Sequence, residues 1–238
     1  MTDFFKDIYA NKAEQYEAMV AREDYELNIP RALGEIRPLE GLDVVELGAG
    51  TGRLTAMIAP LAQRIRAFDE SAHMLAVANA KLEAAGLDNW ETFVADNAAL
   101  PIGDGEADLA IAGWTLGHAT GWYPDTWKEE IGKALGEMER VLKPGGVIVI
   151  LETMGTGRET PEPPVEGLAR FYEWLEGELG FSYRWIRTDY RFESPEQAAD
   201  LTRFFFGDEL ADRLLEEGRT ILPECTGIWW RRKPVSVI

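Results

Sequence analysis

The sequence predicts an α/β fold, an open and mostly parallel sheet with helices on both faces, and three observations predict it. Five short apolar or β-branched runs alternate with helical segments between residues 42 and 153. Two of those runs end at an aspartate, Asp69 and Asp96. The first run passes through Glu46 and Leu47 into a turn with glycine at every second position, Gly48-Ala49-Gly50-Thr51-Gly52.

Each element has a local reason. Residues 43–47 read as a buried parallel strand, and the glycine turn leads into a helix over 53–61. Without Cβ atoms the turn lets a ligand lie against bare backbone, and the first N–H groups of the helix favour an anionic group. Residues 65–68 form the second strand. Ser71 caps a helix whose apolar side carries Met74, Leu75, Ala78 and Leu82 and which ends at Gly86. Residues 90–94 and 108–112 are the third and fourth strands. A helix starting near Pro124 places Ile131, Leu135, Met138 and Leu142 on one face, and Lys143-Pro144-Gly145-Gly146 stops it before a fifth strand over 147–151. In such Rossmann-like sheets ligands lie outside the carboxyl ends of the strands, where Asp69, Asp96 and the glycine turn all fall.

The flanks read differently. Residues 9–37 look helical, with Pro30 starting or kinking a helix. The stretch from Gly155 to Pro164 is rich in Gly and Pro and reads as a mobile loop, followed by a helix over 165–179. Residues 185–192 alternate like a strand. Ser194-Pro195-Glu196-Gln197 opens a helix with proline at its first position and a capping-box pattern, a second helix covers about 208–217, and a final strand lies around 227–232.

Composition narrows the partners. The chain has 238 residues, 24 basic and 42 acidic, for a formal charge of −18. A field of that sign repels nucleic acid and anionic membrane, so a small-molecule substrate is favoured. Arg231-Arg232-Lys233 is the one tight basic cluster and reads as a solvated chain end. No run approaches the ~20 apolar residues that span a bilayer. The first residues lack a signal-peptide pattern, and Cys225, the single cysteine, suits a reducing compartment as a packed thiol. A cytoplasmic protein is therefore expected, without metal, since no His/Cys cluster is present; oligomeric state is not legible.

Taken together, these residues resemble the class I S-adenosylmethionine-dependent methyltransferases over about residues 42–153, half of the chain. The resemblance rests on Glu46-Leu47-Gly48-Ala49-Gly50-Thr51-Gly52, on Asp69 within Phe68-Asp69-Glu70-Ser71-Ala72-His73-Met74-Leu75, on Asp96 within Ala95-Asp96-Asn97-Ala98-Ala99-Leu100-Pro101, and on Arg140-Val141-Leu142-Lys143-Pro144-Gly145-Gly146. It implies a seven-stranded sheet whose last strand runs antiparallel, formed by the strands near 185 and 228. It also implies one methyltransferase domain over 1–238, with a helical cap at 1–40, a cofactor-binding core at 41–153 and a C-terminal part at 154–238. The helical pair between the last two strands departs from the minimal fold, where those strands form a simple hairpin.

The implied cofactor is S-adenosylmethionine. Gly48 and Gly50 would let its methionine portion approach, Asp69 would accept from the ribose hydroxyls, Asp96 and Asn97 would meet the adenine, and Met74 would pack on the ribose and adenine; Glu46, Ala49 and Glu70 complete the implied cofactor-binding set. The implied reaction is in-line methyl transfer to a small-molecule acceptor, and the quinone-type small-molecule branch looks nearest. His118, in Gly113-Trp114-Thr115-Leu116-Gly117-His118, is the candidate base or orienting group, with simple packing as its alternative. Trp114, Trp122, Tyr123 and Trp127, with Tyr16, Tyr25, Phe171, Tyr172 and Trp174, are candidates either for an apolar acceptor pocket or for core packing. Two other readings stand beside this one. The chain could be a catalytically silent cofactor-binding regulator, or an NAD-dependent oxidoreductase. Against the latter, Glu46 precedes the glycines and the third glycine falls one position early for G-x-G-x-x-G.

Overall fold

A computed structural model describes residues 2–235. Three helices come first, α1 (Thr2–Asn11), α2 (Ala13–Val20) and α3 (Asn28–Ile36). Pro30 is the third residue of α3, within the first turn, where an N–H has no helical acceptor and its loss costs nothing. The exposed donors there go instead to Asp24, whose carboxylate accepts from the N–H groups of Asn28 and Ile29, both at 2.8 Å.

The alternating core follows: β1 (Asp43–Leu47), α4 (Arg53–Ile58), β2 (Arg64–Asp69), α5 (Ala72–Ala84), β3 (Trp90–Val94) and β4 (Ala107–Gly113). A short α6 (Ala119–Trp122), α7 (Trp127–Val141) and β5 (Leu142–Thr156) complete it. The Ser71 hydroxyl caps α5 by accepting from the Met74 N–H at 3.2 Å. The C-terminal part holds α8 (Glu166–Gly177), β6 (Ser182–Arg187), β7 (Tyr190–Arg191), α9 (Pro195–Phe206), α10 (Asp208–Glu216), β8 (Ile221–Leu222) and β9 (Glu224–Arg232). Ser194 caps α9 through the Gln197 N–H, while the Gln197 side chain accepts from the Glu193 N–H.

Seven strands form one sheet in the order β3-β2-β1-β4-β5-β9-β6. The first five strands of the chain run parallel, and β9, the last, is antiparallel to β5. Both faces are covered. Along β5, Ile148 and Ile150 pack with Ile131, Leu135 and Met138 of α7, while Val147, Val149 and Leu151 pack with Ile29 and Leu33 of α3 and with Leu54 and Ile58 of α4. That two-sided burial is why these strands read as continuous apolar runs.

Several expected boundaries move, each for a local reason. Pro124 lies in a turn, so α7 begins at Trp127, and Leu142 starts β5 opposite Ala107 rather than ending the helix. β5 extends through Gly155 to Thr156 because it pairs with β9 as far as Glu224, which shortens the expected loop. The strand expected over 185–192 is two strands. Asp189 breaks it by binding the Arg187 guanidinium and the Glu224 N–H, and Tyr190–Arg191 then pairs with β8 instead of β9. The basic triplet is not simply solvated. Arg231 donates to the Leu179 carbonyl, Arg232 to Gly145, and Lys233 to Glu139 and Leu142.

The insertion packs on the N-terminal helices. Met19 of α2 shares an apolar cluster with Tyr190, Phe192, Ala198, Leu214 and Leu222, and Glu23 bridges to Tyr190. The sheet-side anchor of the C-terminal part is Trp229. It is fully buried, stacks on Tyr172 at 4.4 Å and on Tyr183 at 4.8 Å, and donates its indole N–H to Glu176 Oε1. Trp229→Ala is expected to cost about 3–5 kcal/mol. Urea unfolding reads this directly, and a loss under 1 kcal/mol would show that the aromatic stack is not an anchor.

Candidate cofactor and acceptor site

The turn after β1 can be made only by glycine at its first position. Gly48 has φ +64°, and a Cβ there would lie 2.2 Å from Thr115 Oγ1. The end of β2 holds the turn in place. Asp69 Oδ2 accepts from the Gly50 N–H and Oδ1 from the Ser71 N–H, both at 2.8 Å, and the Ala49 N–H donates to the Phe68 carbonyl at 2.9 Å. Burial pushes the Asp69 carboxyl up, and the two N–H groups pull it back. Beneath the turn lies Glu46, 2% exposed, accepting from Thr55 Oγ1 at 2.6 Å; burial pushes its carboxyl up to about 8.

These groups open on a cavity of about 680 Å³ at the carboxyl ends of the strands. All ten expected site residues line it: Glu46, Gly48, Ala49, Gly50, Asp69, Glu70, Met74, Asp96, Asn97 and His118. Asp96 Oδ1 accepts from the Ala98 N–H at 2.8 Å, and the buried Asn97 Oδ1 has no protein partner. A buried acceptor without a partner is costly unless a ligand supplies the donor. A wall with carboxylates, a bare-backbone turn and an orphaned amide oxygen fits an adenosyl cofactor with a positive sulfonium and amine.

The opposite wall is aromatic. Of the aromatic candidates, Tyr16, Trp114, Trp122 and Tyr123 line the cavity. Trp127, Phe171, Tyr172 and Trp174 do not, because they pack in the core beneath α7 and α8. Tyr25 stacks under Arg191 instead.

Several lining groups carried no local sequence signal. Tyr9 is placed by α1, whose packing on α5 is a contact between distant residues: Ser71 Oγ donates to the Tyr9 carbonyl at 2.8 Å. Arg53 opens α4, pairs with Glu23, and lays its guanidinium 3.5 Å from the centre of the Trp114 ring. Trp114 itself has φ +50°, a left-handed conformation costing about 1–3 kcal/mol in a non-glycine residue. Its N–H donates to Leu151 at 2.7 Å, and His118 makes a backbone hydrogen bond to it.

His118 sits at the junction of the two walls. Its Nε2 is 2.9 Å from Tyr9 Oη, and its ring stacks on Trp122 at 5.0 Å and 11°. Burial lowers its pKa to about 4, so the imidazole is neutral at physiological pH. His73 is exposed and accepts from the Ala13 N–H, away from the cavity.

Residues 45–150 match the family described as the methyltransferase domain. The likeness covers somewhat under half of the chain, the part that carries the glycine turn and both strand-end aspartates. A ubiquinone/menaquinone biosynthesis C-methyltransferase, UbiE of Rubrivivax gelatinosus, is 34% identical over 115 residues, covering 48% of this chain and 41% of that protein. The chain spans about half the length of the curated relatives it matches. A crystal structure of an S-adenosylmethionine-dependent methyltransferase from Aquifex aeolicus superposes with TM-score 0.57 at 20% identity, covering 86% of this chain and 90% of that one. A structure named the [4+2]-cyclase SpnF superposes with TM-score 0.55 at 21% identity, covering 87% and 80%. The fold alone therefore does not fix the chemistry, which has to be read from the cavity.

Glu152, at the cavity end of β5, is buried and accepts from the Gly117 N–H at 2.8 Å; burial pushes its carboxyl up to about 8. In the unfolded chain Glu46 and Glu152 ionise near 4.5, so between 4.5 and about 8 the folded protein holds more protons. Stability from these groups therefore falls as pH rises and levels off above about 8. His118 acts oppositely, but only below 6.5, where the unfolded imidazole protonates first. From pH 6.5 to 8 the slope is set by buried carboxyls, Glu46 and Glu152 together with Glu224, which burial pushes up to about 7. The unfolding free energy read from urea denaturation is expected to fall across this window, and Glu152→Gln to make the fall shallower by about 1 kcal/mol per pH unit. A flat profile in the parent protein would contradict neutral buried carboxyls.

Proposed function

We propose that the protein transfers a methyl group from S-adenosylmethionine to a small, largely apolar acceptor bound against the aromatic wall. The observation that carries this reading is the single cavity that joins the glycine turn and the two strand-end aspartates to Tyr16, Trp114, Trp122 and Tyr123. Asp69 and Glu70 would take the ribose hydroxyls, Asp96 and Asn97 the adenine, Met74 its apolar face, and Glu46 with Gly48, Ala49 and Gly50 the methionine portion. When bound, the cofactor supplies an electrophilic methyl group. The chain's own residues then have to align an acceptor in line, exclude water and remove a proton where the acceptor carries one. The relatives named as quinone C-methyltransferases make a demethylated quinol the first acceptor to try, and the aromatic wall suits a flat ring.

Titration calorimetry with S-adenosylmethionine, followed by incubation of the methyl-labelled cofactor with demethylmenaquinol or the small-molecule fraction of a cell extract, tests the reading. Saturable binding and labelled organic product are expected. Asp69→Asn should weaken binding about 10- to 100-fold, the loss of a charge-assisted hydrogen bond. Binding without label transfer to any acceptor would favour a regulatory cofactor-binding protein. Binding of NAD in place of S-adenosylmethionine would overturn the assignment.

A further inference from the structure

We propose that Tyr9 of α1 is the group that takes the acceptor's proton, and that His118 acts behind it as the place the proton goes. This rests on the methyl-transfer reading of the same cavity. The geometry leaves His118 little direct reach. Its Nε2 is engaged by Tyr9 Oη at 2.9 Å, its ring bonds the Trp114 backbone, and one face is covered by Trp122. A base whose two nitrogens are both engaged cannot receive a proton from an acceptor without breaking a bond. Tyr9 lines the same cavity, and a phenol oxygen that donates to imidazole keeps lone pairs for an incoming proton.

Besides its hydrogen bond with His118, Tyr9 is held for this task by Ser71 and Tyr16. Ser71 Oγ, beside the Asp69 carboxylate, donates to its carbonyl at 2.8 Å. Tyr16 packs edge-on against its ring at 5.7 Å, and Phe205 of the inserted α9 packs on Tyr16 at 5.5 Å. The insertion thus reaches the reacting end of the cavity through two aromatic contacts. Tyr9 is felt electrostatically by Tyr16, Glu152, Asp69 and Arg53, and burial raises its own ionisation far above the ordinary range. It therefore serves as a relay and not as a standing phenolate.

The step balances. An acceptor group X–H gives its proton to Tyr9 Oη as the phenolic proton moves to His118 Nε2. The electron pair freed on X forms the new bond to the methyl carbon, and the pair of the broken carbon–sulfur bond stays on sulfur. One positive charge is lost at sulfur and one appears on the imidazole, which afterwards returns its proton to water. The lowered His118 pKa, to about 4, keeps the imidazole neutral until that charge has moved.

The test reads the pair directly and needs no acceptor. With only two histidines, His73 and His118, two-bond proton–nitrogen spectra of histidine-labelled protein separate both rings. The expected result is a neutral His118 with its proton on Nδ1 and an Nε2 resonance that shifts in Tyr9→Phe while His73 stays put. A proton on Nε2, or no shift in Tyr9→Phe, would overturn the proposal. With the small-molecule fraction of a cell extract as acceptor, Tyr9→Phe and His118→Gln should each lower label transfer about 10²-fold. S-adenosylmethionine binding should stay unchanged, and the double variant should be no slower than either single one. A double variant that loses the product of the two single losses would show independent roles and overturn the relay. Absence of S-adenosylmethionine binding by the parent protein would instead remove the methyl-transfer reading, while the spectra still judge the pair.

Discussion

The carboxylate of Asp69 fixes the position of the glycine turn, and most of the site follows from that. The turn has no side chains with which to hold itself, and Gly48, in a left-handed conformation, presses its Cα against Thr115 from the neighbouring strand end. One carboxylate accepts from the Gly50 N–H on one side and from the Ser71 N–H on the other, and so ties the first two strand ends together. Ser71 in turn caps α5 and grips the backbone of Tyr9. One acidic residue at a strand end thereby aligns the glycine turn, the second helix and the N-terminal helix that closes the cavity.

The chemistry-bearing groups of the cavity are kept uncharged or paired by burial. Glu46 in the wall and Glu152, bound to the Gly117 N–H, are pushed toward their neutral forms and His118 is held neutral, so charge within the wall lies on Asp69, Glu70, Asp96 and Glu130 and, with the opposite sign, on Arg53 and Lys133. Arg53 joins three parts of the chain by pairing with Glu23 after α2 and stacking on Trp114 after β4. The strained backbone of Trp114 is sustained by that stack and by hydrogen bonds to Leu151 and His118. A cation that enters with its charge on sulfur meets a wall whose permanent charges are mostly negative.

The parts of this arrangement that were legible in the sequence are those set by local chemistry. Alternating apolar runs marked the five parallel strands, and Ser71 and Ser194 marked two helix starts through their own hydroxyls. The glycine turn, Asp69 and Asp96 were legible because a strand followed by a turn residue places its last side chain at the ligand edge. Residues whose place depends on contacts far along the chain were not. Tyr9 meets His118 across 109 positions, and Glu23 meets Arg53 across 30. The aromatic residues divided between core and cavity by element: Trp127 of α7 and Phe171, Tyr172 and Trp174 of α8 pack in the core, while Tyr16 of α2, Trp114 after β4 and Trp122 and Tyr123 at the end of α6 line the cavity, which an aromatic-rich stretch does not reveal. The strand over 185–192 broke at Asp189 because that carboxylate binds a donor on β9, again a distant partner.

The most direct test of the central claim is a crystal structure with S-adenosylhomocysteine bound. The account requires the ribose hydroxyls at Asp69, the adenine between Met74 and the Asp96–Asn97 turn with a donor on Asn97 Oδ1, and the sulfur facing the Tyr9–His118 pair. Density for the ligand away from the glycine turn, or an Asp69 carboxylate still occupied only by Gly50 and Ser71, would contradict it.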